Sequence, residues 1–216
     1  MERGGLVHRT LAARADQPPH PALLLLHGRG SNELDLLAMA PELEPRFFLV
    51  SARAPYAWQG GFRWYEQDGP DRADDAAFLN SLALLVKLLE DLPEAYPIDP
   101  ARLFLLGFSQ GAMMSNAVTL TVPERVAGAV LLSGYQPDLA RLDVRREALR
   151  GKPVFVAHGT YDALLPVELG RIVRDTLSGL GVDLTYREYP MDHQVILPEL
   201  HDFKTWLGER LDQSSG

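Results

Sequence analysis

Five short, unbroken apolar runs constrain this chain more than any other feature of it. They occupy residues 22–26, 47–50, 103–106, 128–132 and 154–157. Runs of four or five apolar residues are too short for buried helices. Having no polar alternation, they suit strands covered on both faces. Between them lie stretches of helical period. Residues 71–92 place Phe78, Leu82, Leu85, Val86, Leu89 and Leu92 on one stripe, with Pro93 and Pro97 expected to end it. Residues 110–120, 166–180 and 196–211 carry similar patterns. Strand–helix alternation of this kind predicts an α/β architecture, a mostly parallel central sheet with helices on both faces. Residues 6–11 read as an edge strand and residues 184–189 as the last strand, giving six or seven in all. No internal repeat, low-complexity tract or linker interrupts the pattern, so a single domain over residues 1–216 is expected.

In an open parallel sheet, chemistry collects beyond the carboxyl ends of the strands. The residues that follow the apolar runs are therefore the informative ones. Gly107-Phe108-Ser109-Gln110-Gly111 is the one G-x-S-x-G in the chain, and it stands between a strand-like run and a helix-like stretch. A turn that sharp strains the backbone of its middle residue and leaves no room for a Cβ at the flanking positions. It would expose the Ser109 hydroxyl at a helix N-terminus, as a nucleophile. The alternative is a glycine-rich turn whose serine merely caps the helix.

A serine hydroxyl needs a base, and the base needs an orienting group. Of six histidines, His193 follows the last strand in a loop that leads into the final helix, where a base could approach Ser109. His8 and His20 are expected to be solvated, His27 and His158 to be structural, and His201 to lie on the last helix. Asp162 follows the run at 154–157 and completes the order Ser109, Asp162, His193, that of the α/β-hydrolase fold. Asp192 competes for this role, but a carboxylate adjacent to His193 in sequence points away from the ring. Acyl transfer also needs donors for an oxyanion. The backbone N–H groups of Gln110 and Arg29, the latter in the turn His27-Gly28-Arg29-Gly30, are the candidates.

Composition narrows the partners. Lys and Arg total 21 against 29 Asp and Glu, a formal net charge of −8. That balance disfavours binding to nucleic acid or to anionic membrane. With no cysteine there is no disulfide, thiolate metal site or Cys nucleophile. No apolar stretch near the start suits a signal peptide or a membrane span, so a soluble, cytoplasmic protein is expected, without stable membrane insertion.

Together, His27-Gly-Arg-Gly30, Arg53-Ala-Pro55, Gly60-Gly-Phe-Arg-Trp-Tyr65, Gly107-Phe-Ser-Gln-Gly111, Leu132-Ser-Gly134, His158-Gly-Thr-Tyr-Asp162 and His193 resemble the phospholipase/carboxylesterase family. These are small serine α/β-hydrolases that include bacterial carboxylesterases and acyl-protein thioesterases. The resemblance covers roughly residues 22–207. It implies a carboxylic ester or thioester hydrolase with little or no cap domain, a small-molecule ester substrate, no cofactor, no metal and a homodimeric assembly. It places the nucleophile on Ser109, the acid on Asp162, the base on His193, and the hole on Arg29 and Gln110. Two positions depart from the family. Asp192 stands where many members have Gly, and Arg29 where many have an apolar residue. The latter leaves two alternatives: a cation at the mouth that favours acidic or polar acyl groups, or one neutralised by Glu33 or Asp35.

The substrate side is read from apolar residues near these positions. Phe62, Trp64, Met113 and Leu164 are the candidates for the pocket wall, with Trp58, Tyr65, Leu165 and Tyr135 close by in sequence. The competing reading makes the aromatic residues of the loop at 54–70 packing that holds a structureless segment down. Other activities compatible with these residues are a lysophospholipase or acyl thioesterase acting on longer chains, an acyltransferase or peptidase, and a binding protein that has lost catalysis.

Overall fold

In a strand, successive side chains face opposite ways, so an unbroken apolar run must be covered on both sides. The computed structural model, which describes residues 1–14, 17–66 and 75–213, shows how that cover is provided. The elements in chain order are β1 (Glu2–Arg3), β2 (Leu6–Leu11), β3 (His20–Leu26), β4 (Phe48–Ala52), β5 (Tyr56–Trp58), β6 (Gly61–Arg63), α1 (Asp75–Ala95), β7 (Ile98–Phe108), α2 (Gln110–Thr121), β8 (Gly128–Leu132), α3 (Arg146–Leu149), β9 (Pro153–Gly159), α4 (Val167–Gly179), β10 (Asp183–Tyr189) and α5 (Leu197–Gln213).

Eight of these strands form one sheet in the order β1-β2-β4-β3-β7-β8-β9-β10. The six from β4 to β10 are parallel, and β1 and β2 add an antiparallel edge. On one face Leu24, Leu26, Val50 and Leu105 pack with α1, α2 and α4. On the other Leu23, Leu25, Leu49 and Phe104 pack with α5. The inner strands thus divide their alternate residues between two cores. Among the described residues no helix is long and apolar enough to cross a membrane.

The strand order also locates the site. From β3 the chain moves outward to β4 and then returns across β3 to β7, so the winding direction reverses between β3 and β7. A crevice opens at such a switch point because the connections leave it in opposite directions. The carboxyl ends of β3 and β7 carry Gly28-Arg29 and Ser109.

Several sequence expectations are corrected. β2 is not the edge strand; the two-residue β1 lies outside it. That hairpin turns on Gly4 and Gly5, at φ 56° and 76°, values glycine adopts without strain. Within the segment at 54–70, β5 and β6 pair as a hairpin about Gln59 and Gly60, at φ 44° and 84°, so it is not structureless there, and residues 67–70 lie outside the described residues. Helix α1 runs through Pro93, whose missing N–H falls in the last turn, and the Tyr96 N–H still reaches the Leu92 carbonyl at 3.0 Å. Its expected start at residues 71–74 lies outside the described residues. His8 and His20 are buried, not solvated. His8 is held between Tyr96 Oη at 2.7 Å and the Leu6 carbonyl at 3.2 Å.

Candidate active site

The turn at Ser109 exists because two glycines let backbone meet backbone. A Cβ on Gly107 would lie 2.2 Å from the Gly111 carbonyl oxygen, and one on Gly111 would lie 1.9 Å from that of Leu26. The first turn of α2 is thereby pressed onto the end of β3. Ser109 sits at φ 56°, ψ −118°, outside the region L-residues ordinarily occupy, with its N–H held by the Leu132 carbonyl at 2.9 Å. Its hydroxyl makes no capping bond to the helix, which removes the capping alternative. Ser133, in the Leu132-Ser-Gly134 segment at the end of β8, also has a positive φ, 47°.

His193 and Asp162 come together across two loops. His193 Nδ1 lies 2.7 Å from Asp162 Oδ2, and the Asp162 side chain is fully buried. The other oxygen, Oδ1, accepts the N–H groups of Leu164 at 3.0 Å and Leu165 at 2.8 Å, so the carboxylate cannot rotate freely. An ionised carboxylate only accepts, so Nδ1 of a neutral His193 carries the proton and Nε2 keeps a lone pair. Phe108 packs against the imidazole at 4.8 Å between ring centroids.

The loops are fixed from behind. Gly159 allows a close approach, since a Cβ there would lie 2.3 Å from the Met191 carbonyl oxygen. The N–H groups of Thr160 and Tyr161 bond to the carbonyls of Tyr189 and Met191 at 2.7 and 3.0 Å. Asp192 Oδ1 spans the same gap, accepting the Ala163 N–H at 3.1 Å and the His193 N–H at 2.8 Å. Those two bonds hold its carboxyl below the usual range. The His193 ring pairs with Asp162, while Asp192 accepts from backbone N–H groups and acts as a latch between the loops.

His27 and His158 serve as struts. The Ala54 N–H donates to His27 Nε2 at 3.1 Å, so Nδ1 donates to the Gly28 carbonyl at 2.7 Å. His158 Nε2 donates to the Leu165 carbonyl at 2.8 Å. Burial lowers the pKa of both, keeping them neutral.

Ser109 and His193 line one cavity of about 430 Å³, together with Arg29 and Gln110. Among the described residues neither the Arg29 nor the Gln110 backbone N–H is taken by a protein acceptor. The Gln110 side chain is spent elsewhere, accepting from the Trp64 N–H at 3.0 Å and donating to the Tyr65 carbonyl at 3.1 Å. Of the expected pocket residues, Leu164 lines the cavity; Phe62, Trp64 and Met113 do not. Trp64 is fully buried with Nε1 donating to the His27 carbonyl at 2.9 Å, and Met113 belongs to the core between α2 and the sheet. Phe62 faces Arg53, whose guanidinium lies 4.5 Å from its ring centroid. The aromatic wall is instead Trp58, Phe108 and Tyr135. Pro166 and Leu169, at the start of α4, extend the apolar wall and were not anticipated.

Comparison with known proteins follows the same line. A carboxylesterase from Mesorhizobium loti superposes with a TM-score of 0.84 at 26% identity, covering 94% of both chains. The Bacillus cereus carboxylesterase gives 0.85 at 25%, covering 95% of this chain and 94% of the other. The fold is that of the α/β-hydrolases. Acyl-protein thioesterase 1 of Neurospora crassa is 34% identical over 143 residues, 64% of this chain and 58% of that one. The chain thus spans little more than half the length of that curated relative. The putative hydrolase MhqD of Bacillus subtilis is 25% identical over 88% of this chain and 93% of its own. The phospholipase/carboxylesterase family model matches residues 10–210. The chain belongs to the phospholipase/carboxylesterase family.

Proposed function

We propose that this protein hydrolyses carboxylic esters through an acyl-serine intermediate, with Ser109 as nucleophile, His193 as base and Asp162 as its orienting acid. The observation that carries this reading is the 2.7 Å contact between Asp162 and His193 beside a cavity that also holds the uncapped, strained Ser109. Ser109 Oγ attacks the ester carbonyl carbon as its proton passes to His193 Nε2. Asp162 stabilises the imidazolium that forms. The N–H groups of Arg29 and Gln110 receive the oxyanion, each donor contributing roughly 3–4 kcal/mol in sites of this type. When the tetrahedral intermediate collapses, the C–O bond breaks and the alcohol leaves with the proton from His193. Water, activated by the same nitrogen, then attacks the acyl-serine and releases the acid.

A short-chain p-nitrophenyl ester should be cleaved by the wild-type protein, and Ser109→Ala should abolish turnover without changing the unfolding transition. Folded wild-type protein that cleaves no ester would defeat the proposal. The relatives named as acyl-protein thioesterases favour a second reading, hydrolysis of thioesters by the same steps. Matched ester and thioester series of increasing acyl length separate the two by kcat/KM.

A further inference from the structure

The chain carries 29 acidic residues against 21 basic ones, yet none of the described residues lining the cavity is acidic. Asp162 is not on its wall. Among the described lining residues the permanent charge is the cation of Arg29, and neither Glu33 nor Asp35 forms an ion pair with it. Glu33 is committed to Arg53, at 2.5 and 2.6 Å, and to Arg9 at 3.8 Å. Among the described residues no carboxylate, that of Asp35 included, forms an ion pair with Arg29.

Arg29 is also held in place. Its guanidinium carbon lies over the Trp58 ring, 4.9 Å from the centroid, a cation–π contact. Trp58 ends β5, and the β5–β6 hairpin is bolted to the turn that bears Arg29. The Gly30 N–H donates to the Phe62 carbonyl and the Phe62 N–H to the Ser31 carbonyl, both at 2.8 Å. A Cβ on Gly61 would lie 2.0 Å from the Gly30 carbonyl oxygen, so the two backbones are in direct contact. Among the described residues that guanidinium donates to no protein acceptor, so its planar fork of N–H donors is available for a two-point contact with a carboxylate. A merely solvated arginine needs no such platform. The backbone of the same residue is the proposed oxyanion donor, which places the fork within one arginine side chain of the reacting carbonyl.

Resting on the ester-hydrolase reading, we infer that the substrate of this site is an acidic ester, one that bears a carboxylate near the scissile bond and docks it on Arg29. The apolar remainder of the substrate lies against Leu164, Leu165 and Leu169.

The test uses matched pairs, measured as kcat/KM by acid or alcohol release. Monomethyl glutarate against dimethyl glutarate puts the charge on the acyl side. Acetoxyacetate against 2-methoxyethyl acetate puts it on the alcohol side. In the wild-type protein at least one charged ester should exceed its neutral partner by roughly tenfold or more, and Arg29→Gln should lower that ratio by roughly ten- to a hundredfold. Arg29→Lys, which keeps the charge but not the fork, should fall between. A wild-type ratio near one in both pairs, or a ratio that Arg29→Gln leaves unchanged, overturns the inference. Labelling of Ser109 by a fluorophosphonate keeps the two readings apart. Labelling with no preference for acidic esters sinks this inference alone, whereas absence of both labelling and turnover sinks the hydrolase reading beneath it.

Discussion

Asp162→Asn is the substitution whose outcome the geometry dictates most closely. An amide is nearly isosteric with the carboxylate but has one acceptor instead of two. Its orientation is decided by the Leu164 and Leu165 N–H groups, which donate to Oδ1 at 3.0 and 2.8 Å and require an oxygen there. The amide nitrogen must then occupy the position of Oδ2, 2.7 Å from His193 Nδ1. Two donors cannot face each other, so Nδ1 loses its proton to Nε2, and a protonated Nε2 cannot accept from Ser109. In the Ser-His-Asp template this change lowers kcat by about ten-thousandfold. That is roughly 5.5 kcal/mol of transition-state stabilisation at 1.36 kcal/mol per tenfold. Stability should change little, because both loop bonds to Oδ1 survive. The assay is kcat on a short-chain ester, with thermal unfolding measured in parallel. The opposite outcome is a folded Asp162→Asn protein that retains more than about a tenth of wild-type kcat. It would mean that this carboxylate does not set the His193 tautomer.

Other substitutions probe the supports. Gly111→Ala drives a methyl group to 1.9 Å from the Leu26 carbonyl oxygen, a backbone atom with no room to yield, and should cost on the order of 3 kcal/mol or more in chemical denaturation. Asp192→Ala removes the acceptor shared by the Ala163 and His193 N–H groups and should lower kcat roughly tenfold with a smaller effect on KM. Asp192→Asn can keep an oxygen at the shared position and should restore most of that loss. Glu199, buried on α5, has its pKa pushed up to about 8 by burial. Its folded-state pKa lies above the unfolded value, so folding opposes its ionisation and loses stability as pH rises from about 4.5 to about 8. Glu199→Gln should therefore stabilise the protein at pH 8 by an amount on the order of a few kcal/mol, with the gain vanishing near pH 4. Denaturant midpoints at the two pH values check the sign.

Much of this was legible in the sequence, for identifiable physical reasons. Apolar runs such as Leu23 to Leu26 announce strands because a residue on either face of a doubly covered sheet must be apolar. The motif at Ser109 is legible because its two glycines answer a steric demand that no other residue meets. What stayed hidden depends on partners distant in sequence. Gln59-Gly60 is a weaker hairpin signal than Asn-Gly, and only the docking of Phe62 on Gly30 and Ser31 makes the hairpin consequential. Gly4-Gly5 did carry a hairpin signal, in a strand too short to show alternation. Trp58 and Trp64 look alike in one dimension. One lies under Arg29 at the cavity and the other donates to the His27 carbonyl in the core. Likewise nothing in the sequence shows whether Arg29 or Arg53 takes Glu33, because that choice is made by side chains meeting across two loops.

Ser109 is proposed as a nucleophile activated by His193. This role is tested most directly by exposing wild-type, Ser109→Ala and His193→Gln proteins to a fluorophosphonate and reading intact mass, with peptide mapping of any adduct. One adduct is expected on the wild-type chain, located at Ser109 and absent from Ser109→Ala. In His193→Gln it should form at least about a thousandfold more slowly. A folded wild-type protein that gains no adduct, or gains it on another residue, would rule Ser109 out as the activated nucleophile.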